Sequence, residues 1–221
     1  MLTHRDVELL TFCATLKGAP TDVLARRFFA FHPVTGKKNK DPEHACRRRL
    51  NELRQLGYIA PTVARGERTL VTVTNKAVQA LGLPRRPPVM PKGRSHHIAT
   101  LRYIADLAER YEAQGKSVSN IRLEFQIRSE VQGGRQTRKG DDYERFPDAV
   151  FDLTEKKGDV VHKDEVAVEF VTIKYSDKDI LEKHDAFRRF DNVVWAADSK
   201  STARRVAQLT GRPAEVAQVS H

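Results

Sequence analysis

Apolar residues recur every three or four positions in some stretches of this chain and alternate in others, and the two rhythms predict its elements. From His4 to Leu16, Val7, Leu10 and Ala14, with neighbouring Phe12 and Cys13, supply one face of a helix. Gly18 and Pro20 interrupt the chain, and Thr21 is expected to cap a second helix, Asp22 to about Phe29, whose Val23, Leu24, Phe28 and Phe29 cover the first. A loop with Pro33, Gly36 and the run Lys37, Lys38, Asn39, Lys40 follows. Asp41 can then cap, and Pro42 open, a third helix to about Leu56. Its Ala45, Cys46, Leu50, Leu53 and Leu56 form an inward stripe, and Arg47, Arg48, Arg49, Asn51 and Arg54 occupy the rest. Leu56 to Ile59 ends the helix at a glycine; Thr62–Ala64 and Thr69–Thr74 flank the polar turn Arg65–Arg68, the pattern of a hairpin. Asn75 to Leu81 predicts a fourth helix.

Residues 82 to 94, GLPRRPPVMPKGR, contain four prolines and are incompatible with a helix or a central strand, which predicts a stiff basic linker. His96 to about Glu112 is periodic again through Ile98, Leu101, Ile104, Ala105, Leu107 and Ala108. Ile121 to Val131 fits strand or helix, and Gln132 to Asp142 reads as a polar, glycine-containing loop. Strands are expected over Phe146–Leu153, within Val161–Lys174, over Val193–Ala197 and at Val216–Val219, with a turn at Lys156–Asp159. Helices are expected over Ser176–Phe190 and Thr202–Leu209. The chain therefore divides into residues 1–82, a linker 83–95, and a mixed-sheet domain 96–221, an α/β (α+β) fold class overall.

Charge sharpens this division. Residues 1–95 carry 18 Lys or Arg against 7 Asp or Glu, while the other 21 basic and 22 acidic residues nearly cancel, so one part holds the whole surplus of +10. A concentrated positive field suits a polyanion, because neutralising phosphates releases counterions. The two cysteines, Cys13 and Cys46, lie within predicted helices without metal-ligand spacing and read as buried thiols. Neither a secretion leader's apolar core nor a membrane-length apolar run occurs, so a cytoplasmic protein with no membrane partner is expected. Adjacent His96 and His97 lack metal-ligand spacing, and no nucleotide-binding glycine signature is present.

Three resemblances add to these readings. The order helix, helix, arginine-rich helix, hairpin resembles the winged helix-turn-helix superfamily, and the phrase RLNELRQLGYI, Arg49 to Ile59, resembles its recognition-helix-to-wing passage. That implies a double-stranded DNA partner reached by Lys38, Lys40, Arg47, Arg48, Arg49, Asn51 and Arg54, with Arg65 and Arg68 on the wing and Arg85 and Arg86 in the linker. The second half resembles the PD-(D/E)XK nuclease core: Pro147 and Asp148 match its first element and Glu169 the acidic residue of its next strand. The family's lysine two residues later is Val171 here; Lys183 on the following helix is the substitute, Lys174 being at the wrong spacing. An active nuclease of that kind would hold Mg²⁺ through Asp148 and Glu169. The whole order is similar to the replication-relaxation family of plasmid and mobile-element proteins, marked by Pro147 to Val150, Glu169 and Lys183.

The expectation is a sequence-recognising, cofactor-free DNA binder acting in replication control, mobilisation or repression, as a homodimer and with a possible replication or relaxosome partner. A Mg²⁺-dependent nuclease or nickase using Asp148, Glu169 and Lys183 is the enzymatic alternative. A winged helix that recognises another protein is the third.

Overall fold

The computed structural model describes residues 2–62, 70–83, 93–131, 145–157 and 160–217. It is a mixed α/β architecture with several helices and two sheets, divided into compact units Met1–Ala105 and Asp106–His221.

In the first unit, α1 (His4–Thr15), β1 (Ala19–Pro20), α2 (Thr21–Phe29), α3 (Pro42–Gln55), β2 (Ile59–Thr62), β3 (Leu70–Val73) and α4 (Asn75–Ala80) follow in order. The sheet runs β1-β3-β2, both pairings antiparallel. The core gathers Leu9, Leu10 and Cys13 from α1, Val23, Leu24 and Phe29 from α2, and Cys46, Leu50 and Leu53 from α3. Burial pushes both thiols up, Cys46 to about 12, so they are protonated apolar packing at neutral pH. Val7, expected inside, is 36% exposed, because Asp6 occupies the inward position on that turn of α1. Leu56 is exposed as well, standing past the last turn of α3 as its C-cap. Thr21 is not a cap: extended Pro20 holds that position without a side-chain bond, and Thr21 is already helical. Gly18, at φ +113°, lies so close to β3 that a Cβ would meet Thr72 Cγ2 at 2.9 Å and the Val71 carbonyl at 3.0 Å.

α5 (Arg94–Ala113) begins in this unit. Arg102 pairs with Asp22 (2.9 Å), and His97 Nε2 donates to the Gly18 carbonyl (3.2 Å). Burial holds the His97 ring's pKa below its ordinary value, consistent with a neutral donor. The division into the two compact units falls inside α5, and most of the proline-rich stretch, residues 84–92, lies outside the described residues.

The second unit continues with β4 (Lys116–Leu123), α6 (Glu124–Val131), β5 (Ala149–Lys157), β6 (Val160–Val171), α7 (Asp177–Ala186), a single 3₁₀ turn, β7 (Asn192–Ala197), α8 (Lys200–Thr210) and β8 (Ala214–Val216). The sheet order is β4-β5-β6-β7-β8; the first two pairings are antiparallel and the last two parallel. The ambiguous stretch from Ile121 resolves into both candidates, the end of β4 and then α6. β5 starts at Ala149 and runs through Lys157, so Pro147 and Asp148 precede the strand and the expected turn at Lys156 is strand. The last strand ends at Val216 instead of starting there. The expected loop after Val131 lies outside the described residues.

Alternation on β6 sends Ala167, Glu169 and Val171 to one face. There Ala167 packs with Val150, Phe146 and Ile127 of α6, and Val171 with Ile180 of α7, Trp195 of β7 and Val206 of α8. Tyr111 of α5 meets Phe151 edge-on, 6.1 Å between centroids. Among the described residues no helix is long and apolar enough to cross a membrane.

Candidate functional site

Helix α3 sorts its side chains sharply. The Asp41 carboxylate accepts the His44 amide (2.8 Å), Pro42 fills the first turn, and Cys46, Leu50 and Leu53 face the core. Arg47, Arg48, Asn51 and Arg54 all emerge into solvent. Arg47 lies 3.2 Å from Glu43 one turn back, and Arg54 Nη1 donates to Asn51 Oδ1 (3.2 Å), exposed contacts of little energetic weight. Lys38 and Lys40 are exposed just before the helix. Arg65, Arg68, Arg85 and Arg86 lie outside the described residues.

Arg49 departs from its neighbours. Its Nε donates to Asp6 Oδ1 (2.8 Å), its Nη2 to Asp6 Oδ2 (2.5 Å), and its Nη1 to Glu52. Asp6, 1% exposed, also accepts the Thr3 amide and hydroxyl, each at 2.7 Å, in the capping box of α1. Burial by itself would raise the Asp6 pKa; the Arg49 pair and the Thr3 bonds outweigh it and hold the carboxyl below the usual range. Arg49 therefore ties α3 to the start of α1 and is removed from the outward set.

In the second unit Asp148, Glu169 and Lys183 do come together. Glu169 is fully buried on β6, and Lys183, buried on α7, donates to its Oε1 at 2.5 Å. Asp148 Oδ2 accepts the Phe170 amide (2.8 Å), which fixes the residue before β5 against β6. α7 is placed for this by its Ser176 capping box, which leaves Ile180 and Lys183 facing the sheet. Burial opposes the charge on Lys183, but Glu169, then Asp148 and Glu124, overcome it and raise its pKa above the ordinary value. The Tyr175 ring lies 5.3 Å from the Lys183 ammonium; burial first, then the fields of Glu169 and Asp148, push the pKa of its hydroxyl up, keeping it protonated.

Sequence reading missed Asp6, Glu124 and Tyr175. Asp6 was hidden because it occupies an inward position that periodicity assigns to an apolar residue. Glu124 opens the helix within the ambiguous stretch, where its backbone amide donates to the Asp148 carbonyl (2.9 Å). Tyr175, immediately before the Ser176 cap, carried the one available signal, an aromatic at the point where the chain turns from β6 into α7.

One oxygen of each carboxylate that a divalent cation would use is already engaged in the cluster as arranged. The Lys183 ammonium occupies Glu169 Oε1, Asp148 Oδ2 is engaged by a backbone amide, and no group of three or more His, Cys, Asp or Glu among the described residues could hold a metal ion. The arrangement provides a buried carboxylate–ammonium pair with an aromatic ring beside the ammonium. No family model, no curated protein and no solved structure matches this chain.

Proposed function

We propose that this chain is a sequence-recognising double-stranded DNA-binding protein of the winged helix-turn-helix type, encoded on a plasmid or mobile element and acting in replication control, mobilisation or repression. The observation that carries the reading is the sorting of α3: a fully packed inner face, and Arg47, Arg48, Asn51 and Arg54 all exposed on the remainder. Guanidinium and amide groups at helical spacing on a rigid rod can reach base edges and phosphates in the major groove. The antiparallel β2–β3 pair after α3, and β1 paired to β3, support the winged arrangement. The basic surplus of this half of the chain supports a polyanionic partner. A homodimer reading two half-sites and a cytoplasmic location belong to the same proposal.

The second unit supports the PD-(D/E)XK resemblance through its helix, three antiparallel strands, helix and parallel strand, with Asp148, Glu169 and Lys183 converging. In this proposal it serves binding or assembly, because Lys183 holds Glu169 Oε1 and no group of three or more metal-ligating side chains gathers among the described residues. That same convergence favours the nuclease as a second reading.

One experiment separates them: duplex binding by full-length protein across a salt series with Mg²⁺ present, products checked for strand breaks. We expect binding that weakens steeply with salt, a salt slope lowered by about three in an Arg47→Ala, Arg48→Ala, Arg54→Ala variant, and intact DNA. Breaks abolished by Glu169→Gln would establish the nuclease instead. Binding indifferent to salt and to the triple substitution would turn the search to a protein partner.

A further inference from the structure

The connection between α2 and α3, Ala30 to Asp41, is longer than the two to eight residues that usually join packed helices. It is nevertheless built. Phe31 and Lys38 form an antiparallel bridge, the His32 amide donates to the Lys37 carbonyl (2.7 Å), and the Asn39 amide donates to the Ala30 carbonyl (2.8 Å). The Gly36 amide closes the tip on the His32 carbonyl (2.9 Å), with Gly36 at φ +64°. His32 Nδ1 accepts from the Val34 and Thr35 amides at 3.4 and 3.3 Å, and Asn39 Nδ2 bonds the Phe29 carbonyl (2.5 Å), pinning the base of the hairpin to the end of α2.

Although ordered by its own backbone, this hairpin turns its side chains to water. Phe31 is 60% and Val34 86% exposed, and Lys37, Lys38 and Lys40 are all exposed. No acidic residue occurs between Ala30 and Lys40, so the three ammonium groups give the hairpin itself a wholly positive charge. A fixed β-turn carrying three lysines and two bare apolar side chains has the chemistry of a backbone clamp: lysines for phosphates, and Phe31 and Val34 for the apolar edges of the sugars. It enters α3 directly, through the Asp41 cap.

We infer that the 31–40 hairpin is a second duplex-contacting element, one that grips the sugar–phosphate backbone beside the groove entered by α3. The inference rests on the DNA-binding reading and adds a contact surface to it. It predicts that affinity depends on the shape of the hairpin as well as on its charge, because preorganisation lowers the ordering entropy of binding.

The test compares full-length protein with two variants on a labelled duplex selected by the wild type from a random-sequence pool, over a salt series, with backbone footprinting. Lys37→Ala, Lys38→Ala, Lys40→Ala should weaken binding, lower the salt slope by about two to three, and erase protection on one flank of the footprint. His32→Ala removes the acceptor of two turn amides but no lysine; it should weaken binding with little change in slope. Both changes lie on exposed side chains, and unchanged thermal unfolding verifies the fold. If the wild type binds and the Arg47, Arg48, Arg54 variant does not, yet the lysine variant keeps full affinity, slope and footprint, the hairpin inference fails while the DNA reading stands. If the wild type ignores duplex DNA, both fall.

Discussion

In each unit a carboxylate almost completely hidden from water pairs with a cation on a helix: Asp6 with Arg49 in the first, Glu169 with Lys183 in the second. The first pair is accounted for by architecture. Every bond to Asp6 is a helix cap or a tether between α1 and α3, and the geometry is the two-pronged one that guanidinium favours. The second has a surplus. A single point-charge ammonium would satisfy packing, yet Asp148 and Glu124 add their fields at Lys183, and the Tyr175 ring lies beside it. Burying charge is unfavourable unless it is matched, so a cluster richer in ionisable members than the first pair is the one whose disruption should cost more. Burial is common to both pairs; the number of ionisable neighbours separates them.

The largest effect is expected where that surplus lies. Glu169→Ala or Lys183→Ala should each destabilise the second unit by about 3–5 kcal/mol, because either leaves an unmatched buried charge. Glu169→Leu with Lys183→Met should recover most of that loss. Trp195, the chain's one tryptophan and the strand neighbour of Glu169 across β6–β7, reports the transition by fluorescence during denaturant unfolding. The sign with pH follows from the raised Lys183 pKa: its contribution is full below the ordinary value of 10.5 and lost as pH rises through the higher folded value. Single substitutions costing under about 1 kcal/mol would place the pair among surface bridges and dissolve the contrast.

The Asp6 pair comes next. Asp6→Asn removes a cap and charge-assisted bonds, for an expected loss of about 2–4 kcal/mol in the first unit. Because the folded Asp6 pKa is lowered, its stabilisation is present above the ordinary 3.8 and lost as pH falls through the folded value. The acid limb of the wild-type stability curve should therefore flatten in Asp6→Asn. Hydrogen exchange in α1 and α3 localises the loss. Arg49→Ala should behave likewise, destabilising the unit while leaving the salt slope of DNA binding intact, the inverse of the Arg47, Arg48, Arg54 variant. A slope that drops with Arg49→Ala would return Arg49 to the DNA-facing set.

Periodicity made the helices and the central strands legible because their inward positions are mostly apolar. It failed where a polar residue took such a place. Asp6 displaced Val7 outward, and Arg49 turned from the arginine-rich surface to meet it, neither of which any local pattern encodes. The start of β4 was missed because Ser117, Ser119 and Asn120 are exposed with few apolar residues between them, and its bulge between Ser119 and Arg122 breaks the period. Asp148, Glu169 and Lys183 were legible through a motif, but the bond between Lys183 and Glu169 depends on α7 packing over β6, a long-range outcome of the cap at Ser176.

The smallest effect tests the outward face of α3. Glu43 sits one turn before Arg47, both more than half exposed, so Glu43→Gln should change stability by less than about 0.5 kcal/mol. Its influence on binding should be opposite in kind. Removing a negative charge 3.2 Å from Arg47 frees that guanidinium and eliminates repulsion toward phosphate, so duplex affinity should rise modestly at low salt and converge with the wild type at high salt, where screening shortens the field. Thermal unfolding and the salt series, run on the same protein, give both numbers. A gain in affinity without a change in stability would mark Arg47 as a residue exposed for a partner, as Arg49 is not. A loss in either quantity would mean that the exposed pair holds the helix, and the distinction between inward and outward arginines on α3 would have to be redrawn.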